Sequence, residues 1–235
     1  MKWISFLLMF SCSHFSKTYY PSESLKESNV LHLSLDSNKE KLPIIDSASV
    51  KSKAVWQGQS WKVVGAESIL KNASVVTAGI WFNINSKDTE YQDLLAISVG
   101  GNEKTTTASR LGLRIENESI VGIVRANDKD RGIHIYSEPT KIKLGEWNHA
   151  VITVNYAENS VKIFLNGELL ELKNQPKFTQ PYASNTDSLL IALGSEDDGN
   201  SGYVKGNLKE VMVWRRILQN KEIKELYLSS KRVVK

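Results

Sequence analysis

The dipeptide Asn166-Gly167 lies between Val161-Lys-Ile-Phe-Leu165 and Glu168-Leu-Leu-Glu-Leu172, and it constrains this chain more than any other feature. A type I′ turn holds both central residues at φ > 0, which Asn and Gly tolerate at least cost. The two flanking runs are therefore expected to pair as an antiparallel hairpin. The same grammar recurs along the chain. In Val30–Asp36 the apolar residues Leu31, Leu33 and Leu35 share one face, and Ser74–Ile84 is rich in β-branched and aromatic residues. Further strands are expected over 93–99, 110–116, 120–126, 132–136, 148–156, 188–193 and 208–214. Turn formers separate most of them: Gly100-Gly101, Asn117-Glu118, Asn127-Asp128, Asn159-Ser160 and Asp198-Gly199.

Short strands at this spacing imply an all-β fold, a two-sheet antiparallel sandwich of the jelly-roll kind. One helix is expected, over 220–230, where Ile223, Leu226 and Tyr227 stand at i, i+3 and i+4. The stretch 37–73 shows no clear period, and no internal repeat or second domain is visible, so 29–235 is taken as one domain. A chain of 235 residues hides roughly 70% of its unfolded surface, enough for a core without staples.

Composition removes several classes. With 41% hydrophobic and 24% charged residues the chain is globular, not disordered. No apolar run approaches the ~20 residues of a membrane-spanning helix. Lys+Arg 30 against Asp+Glu 26 leaves a net charge of +4, too small an excess to expect nucleic acid as a partner. The single cysteine excludes a disulfide framework and a thiolate zinc site.

That cysteine, Cys12, follows Met1-Lys2, the apolar run Trp3–Phe10 and the small Ser11. A positive residue, a short apolar stretch and a small residue compose a secretory signal. With a cysteine just beyond, the segment resembles a bacterial lipoprotein signal. The resemblance implies removal of 1–11, lipidation of Cys12, and a polar, Ser-rich tether over 12–28. It places the domain at a bacterial cell envelope, lipid-anchored or secreted, touching the membrane through the lipid alone. Met9-Phe10-Ser11 departs from the usual Leu, Ala/Ser, Gly/Ala order, and an ordinary signal cut after Ser13 or an uncleaved segment are the alternatives.

Three stretches resemble the laminin-G-like, concanavalin A-like jelly-roll family. Gly145-Glu-Trp147-Asn-His149-Ala-Val-Ile-Thr-Val154 followed by Val161–Leu170 is similar to its Trp-x-His-Val-Ala strand and the next strand ending in Asn-Gly. Gly206-Asn-Leu-Lys-Glu-Val-Met-Val-Trp214-Arg-Arg216-Ile-Leu218, then Glu222-Ile223, is similar to its closing strand, Arg-x-Leu and short helix. Ser74–Trp81 is a weaker third match. Lys209, Trp214 and Gln219 replace the family's usual Asp, Tyr and helix-capping Ser, so Asn220 is a candidate for the cap. The helix is expected to cover an open end of the sandwich. Trp81, Trp147, Trp214 and His149 match family core positions.

Catalytic motifs are incomplete. The nearest string to the family's Glu-x-Asp-x-x-Glu signature is Glu196-Asp-Asp198-Gly-Asn-Ser201, where a serine stands for the last carboxylate. Glu168 and Glu171 would point to opposite faces of one strand. No Gly-x-Ser-x-Gly occurs, and His14, His32, His134 and His149 lack metal-pair spacing. The resemblance makes calcium the candidate cofactor, with Asp197, Asp198 and Asn200 as ligands in one loop and Asp128 and Asp130 as a second choice. Trp56 and Trp61, beside Gly and Gln, are the candidate ligand-stacking residues. The expectation is a non-enzyme: a binding or adhesion module for a glycan or a surface protein. The alternatives are a divergent glycoside hydrolase or lyase, and a purely structural envelope lipoprotein.

Overall fold

Alternation divides the side chains of each strand into two sets, and the fold gives each set its own apolar cover. The structure, a computed structural model, describes residues 25, 29–35, 44–45, 53–56, 61–64, 73–87, 90–99, 109–126, 132–178, 189–195 and 201–231. In chain order the strands are β1 (Asn29–Ser34), β2 (Ile44–Ile45), β3 (Lys53–Trp56), β4 (Trp61–Val64), β5 (Val75–Ile84), β6 (Tyr91–Val99) and β7 (Ser109–Glu116). There follow β8 (Ser119–Val124), β9 (Ile133–Tyr136), β10 (Asn148–Asn155), β11 (Ser160–Leu165), β12 (Glu168–Leu169), β13 (Leu189–Leu193) and β14 (Gly206–Trp214). The helix α1 spans Asn220–Ser230. The first sheet runs β12-β11-β10-β5-β14-β1-β2 and the second β3-β4-β13-β6-β7-β8-β9, with antiparallel neighbours throughout. The expected two-sheet sandwich with a C-terminal helix is what forms.

Asn166 and Gly167 take φ of 54° and 81°, and Leu165 pairs with Glu168 across the turn. The second strand of this hairpin is shorter than the sequence suggests, since β12 ends at Leu169. Between the sheets lie Ala78, Ile80 and Phe82 of β5, Ala150 and Ile152 of β10, Leu31 and Leu33 of β1, and Leu111, Leu113, Ile120 and Ile135 opposite them. Each Leu, Ile or Phe among them contributes about 1.5–3 kcal/mol when fully buried, so this layer is the main drive to fold. The sheets approach closely at Gly122, where an added Cβ would stand 2.7 Å from Ile152 Cδ1.

The outward set of the first sheet is also apolar. Val151, Phe164, Met212 and Trp214 form a second cluster with Leu25, Leu218, Ile223 and Leu226. Helix α1 therefore lies on the outer face of this sheet instead of closing an end of the sandwich, because that face carries the apolar surface that needs cover. Its N-cap is Gln219, whose N–H donates to Glu222 Oε2 at 2.8 Å, so Asn220 is helical and not the cap. Glu222 also receives the Arg216 guanidinium at 2.7 and 2.9 Å, fixing the helix to the exit of β14.

Candidate functional site

On β5 and β10 the residues opposite the core set point outward, and pairing of His149 with Trp81 brings their rings together. Trp81 and His149 stack at 4.9 Å between centroids, and Tyr227 of α1 joins them at 5.5 Å from Trp81 and 6.4 Å from His149. Trp81 is buried and donates its Nε1–H to Ser230 Oγ at 3.2 Å. Burial pushes His149 down to about 3, so its imidazole is neutral in the folded protein near neutrality.

Beside this platform the segment before β10 is pinned by carboxamides. Asn148 Nδ2 donates to the carbonyls of Lys143 (2.8 Å) and Glu146 (3.0 Å), and its Oδ1 accepts from Asn166 Nδ2 at 3.1 Å. Asn166 Oδ1 in turn accepts the His149 N–H at 2.9 Å. Gly145, at φ 70°, donates its N–H to Ile84 O at 2.9 Å and accepts from Asn83 Nδ2 at 3.2 Å.

These contacts leave a cleft of about 380 Å³, within the size range of ligand sites. Trp147, Tyr227 and Trp81 give it aromatic walls, while Asn83, Asn166, Glu146, Lys143 and Lys231 supply polar groups. Trp147 and Tyr227 are half-buried. Lys209 Nζ lies 5.0 Å from the Trp147 ring centroid and Lys231 Nζ 5.4 Å from that of Tyr227. Lys143 and Glu146, both exposed, approach to 3.5 Å.

A different polar cluster lies on the outer face of the second sheet. Arg114 Nε and Nη2 donate to the two oxygens of Asp93 at 2.9 and 3.0 Å, and the Tyr91 ring packs 4.0 Å from the guanidinium carbon. Glu116 stands 3.9 Å from Arg114 and accepts the Tyr136 hydroxyl at 3.2 Å. Burial and the Glu116 charge raise the Tyr136 pKa, which keeps its phenol protonated.

The residues singled out from sequence fall elsewhere. Trp56 and Trp61 are paired in register on the β3–β4 hairpin of the second sheet. Cys12, Asp197, Asp198 and Asn200 lie outside the described residues, as do Asp128 and Asp130. Among the described residues no group of three or more His, Cys, Asp or Glu is placed to hold a metal. Trp147, expected in the core, lines the cleft: the alternation that turns His149 and Val151 outward turns it outward too. Of its partners, Tyr227 was read only as part of the helix's apolar face and Asn83 not at all, since only strand pairing and helix docking bring them near.

No curated protein matches this chain. Among solved structures it is similar to a Trypanosoma rangeli sialidase in complex with sialic acid, with TM-score 0.61 and 16% identity, over 88% of this chain and 33% of that one. The chain thus spans about a third of the length of the sialidase chains it matches. It is also similar to the Ruminococcus gnavus IT-sialidase CBM40 bound to α2,3-sialyllactose (TM-score 0.51, 20% identity, 65% of this chain and 82% of that one). A structure described as a receptor binding domain matches at TM-score 0.55 and 15% identity, over 90% of this chain and 53% of that one. These likenesses establish the fold. They also correct the expectation of a non-enzyme, because sialidases, which are enzymes, are among the proteins sharing it. Motif spacing was a poor ground for that expectation. Asp93 and Glu116 sit beside one arginine though they come from separate strands, a juxtaposition that linear motifs do not record. Residues 57–224 match the concanavalin A-like lectin/glucanases superfamily, and the chain belongs to that family.

Proposed function

We propose that this chain is a glycan-binding module of a bacterial cell envelope, taking saccharide in the cleft beside Trp147 and Tyr227. The observation that carries the reading is the combination there of half-buried aromatic rings with hydrogen-bonding groups on a pinned backbone. The C–H face of a pyranose packs on such a ring, and its hydroxyls bond to carboxamides, a carboxylate and ammonium groups. Preorganisation by Asn148 and Asn166 lowers the ordering cost of binding. Family membership and the carbohydrate-bound CBM40 neighbour support the same reading.

Trp147→Ala should weaken binding on a glycan array and in calorimetry by about 10–100-fold, the equivalent of ~1.4–2.8 kcal/mol for a lost aromatic wall. Trp147→Phe should restore most of it. Binding undiminished by Trp147→Ala, with the fold intact, would remove the cleft from consideration. Location at the envelope is supported by the leader and Cys12. Cys12→Ser should move the protein from the detergent-extracted membrane fraction to the soluble one. A variant that stays with membranes after salt washing defeats the anchor.

A further inference from the structure

We infer that the glycan taken by this cleft is acidic, bearing a carboxylate or sulfate group that lies between Lys209 and Lys231. The inference rests on the proposed glycan-binding role and narrows it to a ligand class. Three ammonium groups stand at the cleft, those of Lys143, Lys209 and Lys231, whereas Glu146 is the one carboxylate lining it among the described residues. Glu146 is already matched with Lys143 at 3.5 Å. Just outside, Lys224 is likewise matched with Glu168. Lys209 and Lys231 differ from both. Neither pairs with a carboxylate among the described residues, and each instead sits over an aromatic wall, Lys209 over Trp147 and Lys231 over Tyr227.

That placement has a chemical consequence. A cation over the face of an aromatic ring is held by the ring quadrupole without losing its charge. A saccharide in the cleft would therefore meet, beside each of these rings, an ammonium group that no described carboxylate pairs with. A neutral sugar can offer it only hydroxyls. A carboxylate or sulfate offers a charge-assisted hydrogen bond, roughly twice as strong as a neutral one. The two lysines come from different elements, β14 and the C-terminal end of α1, and each stands at one of the two exposed rings, so an anionic substituent can draw on a cation from each. Lys231 is also the C-cap of α1, where a cation is favoured by the helix dipole.

The test is an array and calorimetry with the full chain and three ligands of one backbone: lactose, 3′-sialyllactose for the carboxylate and 3′-sulfolactose for the sulfate. Other backbones, in neutral and acidic forms, are printed on the array. Acidic members should bind at least 10-fold more tightly than their neutral counterparts in 20 mM salt. That gap should shrink as salt is raised, because exposed charges are screened. Lys209→Gln combined with Lys231→Gln should bring acidic and neutral members to within about 2-fold of one another, and Lys→Arg at both positions should keep the preference. Carboxylate and sulfate arms show which anion fits. Neutral and acidic members binding equally would overturn the inference while leaving glycan binding in place. No binding by any member would remove the proposed function and this inference with it. A preference that survives the double substitution would place the anion site elsewhere and overturn it too.

Discussion

Acidification from pH 6.5 towards 3 should lower the stability of the native protein by about 1.4 kcal/mol per pH unit through His149 alone. His149 is buried against Trp81 and Tyr227, and burial moves its pKa from 6.5 down to about 3. The sign follows from proton counts. Below 6.5 the unfolded chain binds a proton at this imidazole, whereas the folded chain binds none until about 3. Stability is therefore full above the unfolded value and falls as pH drops through that window. Among the described residues nothing relieves the burial: none bonds to the buried Nδ1, and Gly79 backs the ring so closely that a Cβ there would lie 3.3 Å from Nε2.

The measurement is denaturant unfolding of wild type and His149→Phe at pH 7.5, 6.5, 5.5 and 5.0, above the range where most carboxylates titrate. The wild type should lose about 2 kcal/mol more than the variant between pH 6.5 and 5.0. Every other ionisable group is common to both proteins, so the difference isolates His149. Parallel pH profiles would show that the imidazole is solvated and the platform open. Should the phenylalanine variant fold poorly, the His149 ring resonances of the wild type serve instead, and they should not titrate between pH 7.5 and 5.

The same platform shows what a linear reading reaches and where it stops. Strands β5 and β10 were legible because one face of each is uniformly apolar, and a one-residue slip would expose that whole set. Their partner β14 was legible for the same reason, even with the bulge at Glu210, whose φ is 44°. Strands β2, β3 and β4 were not, since two to four residues, with a lysine in each of β3 and β4, cannot display a period. For the helix, the periodicity located Ile223 and Leu226 correctly but could not say which face of the sandwich they meet. That choice depends on Val151, Phe164 and Met212, scattered over three strands. The cleft inherits this difficulty. Trp147 was placed by alternation, but Asn83 and Tyr227 reach it from 64 residues before and 80 residues after, through strand pairing and helix docking. The match to a family core strand made Trp147 look like core, and Trp is mostly buried in either role, so residue type could not tell wall from interior.

Truncating Arg114 should cost about 3–5 kcal/mol, because it would leave the Asp93 carboxylate buried and without its fork. Asp93 is 2% exposed and Arg114 9%. Their two parallel hydrogen bonds join β6 to β7, and the Tyr91 ring covers the guanidinium from one side. The segment around Gly202 closes the other side. Its carbonyl accepts the Asp93 N–H at 2.8 Å, and an added Cβ would stand 2.2 Å from Asp93 Oδ2. Water is thus kept from the pair, so the attraction is strong and so is the penalty for stripping the carboxylate of its fork. Arg114→Leu should lower stability by that amount in denaturant unfolding and Asp93→Leu by less, because Glu116 remains 3.9 Å from the guanidinium, while the double variant should lose much less than their sum. The coupling energy from the cycle separates the cost of an orphaned charge from the net worth of the pair, which desolvation holds far lower. Single losses under about 1 kcal/mol, the scale of an exposed ion pair, would show that solvent reaches this face of the second sheet.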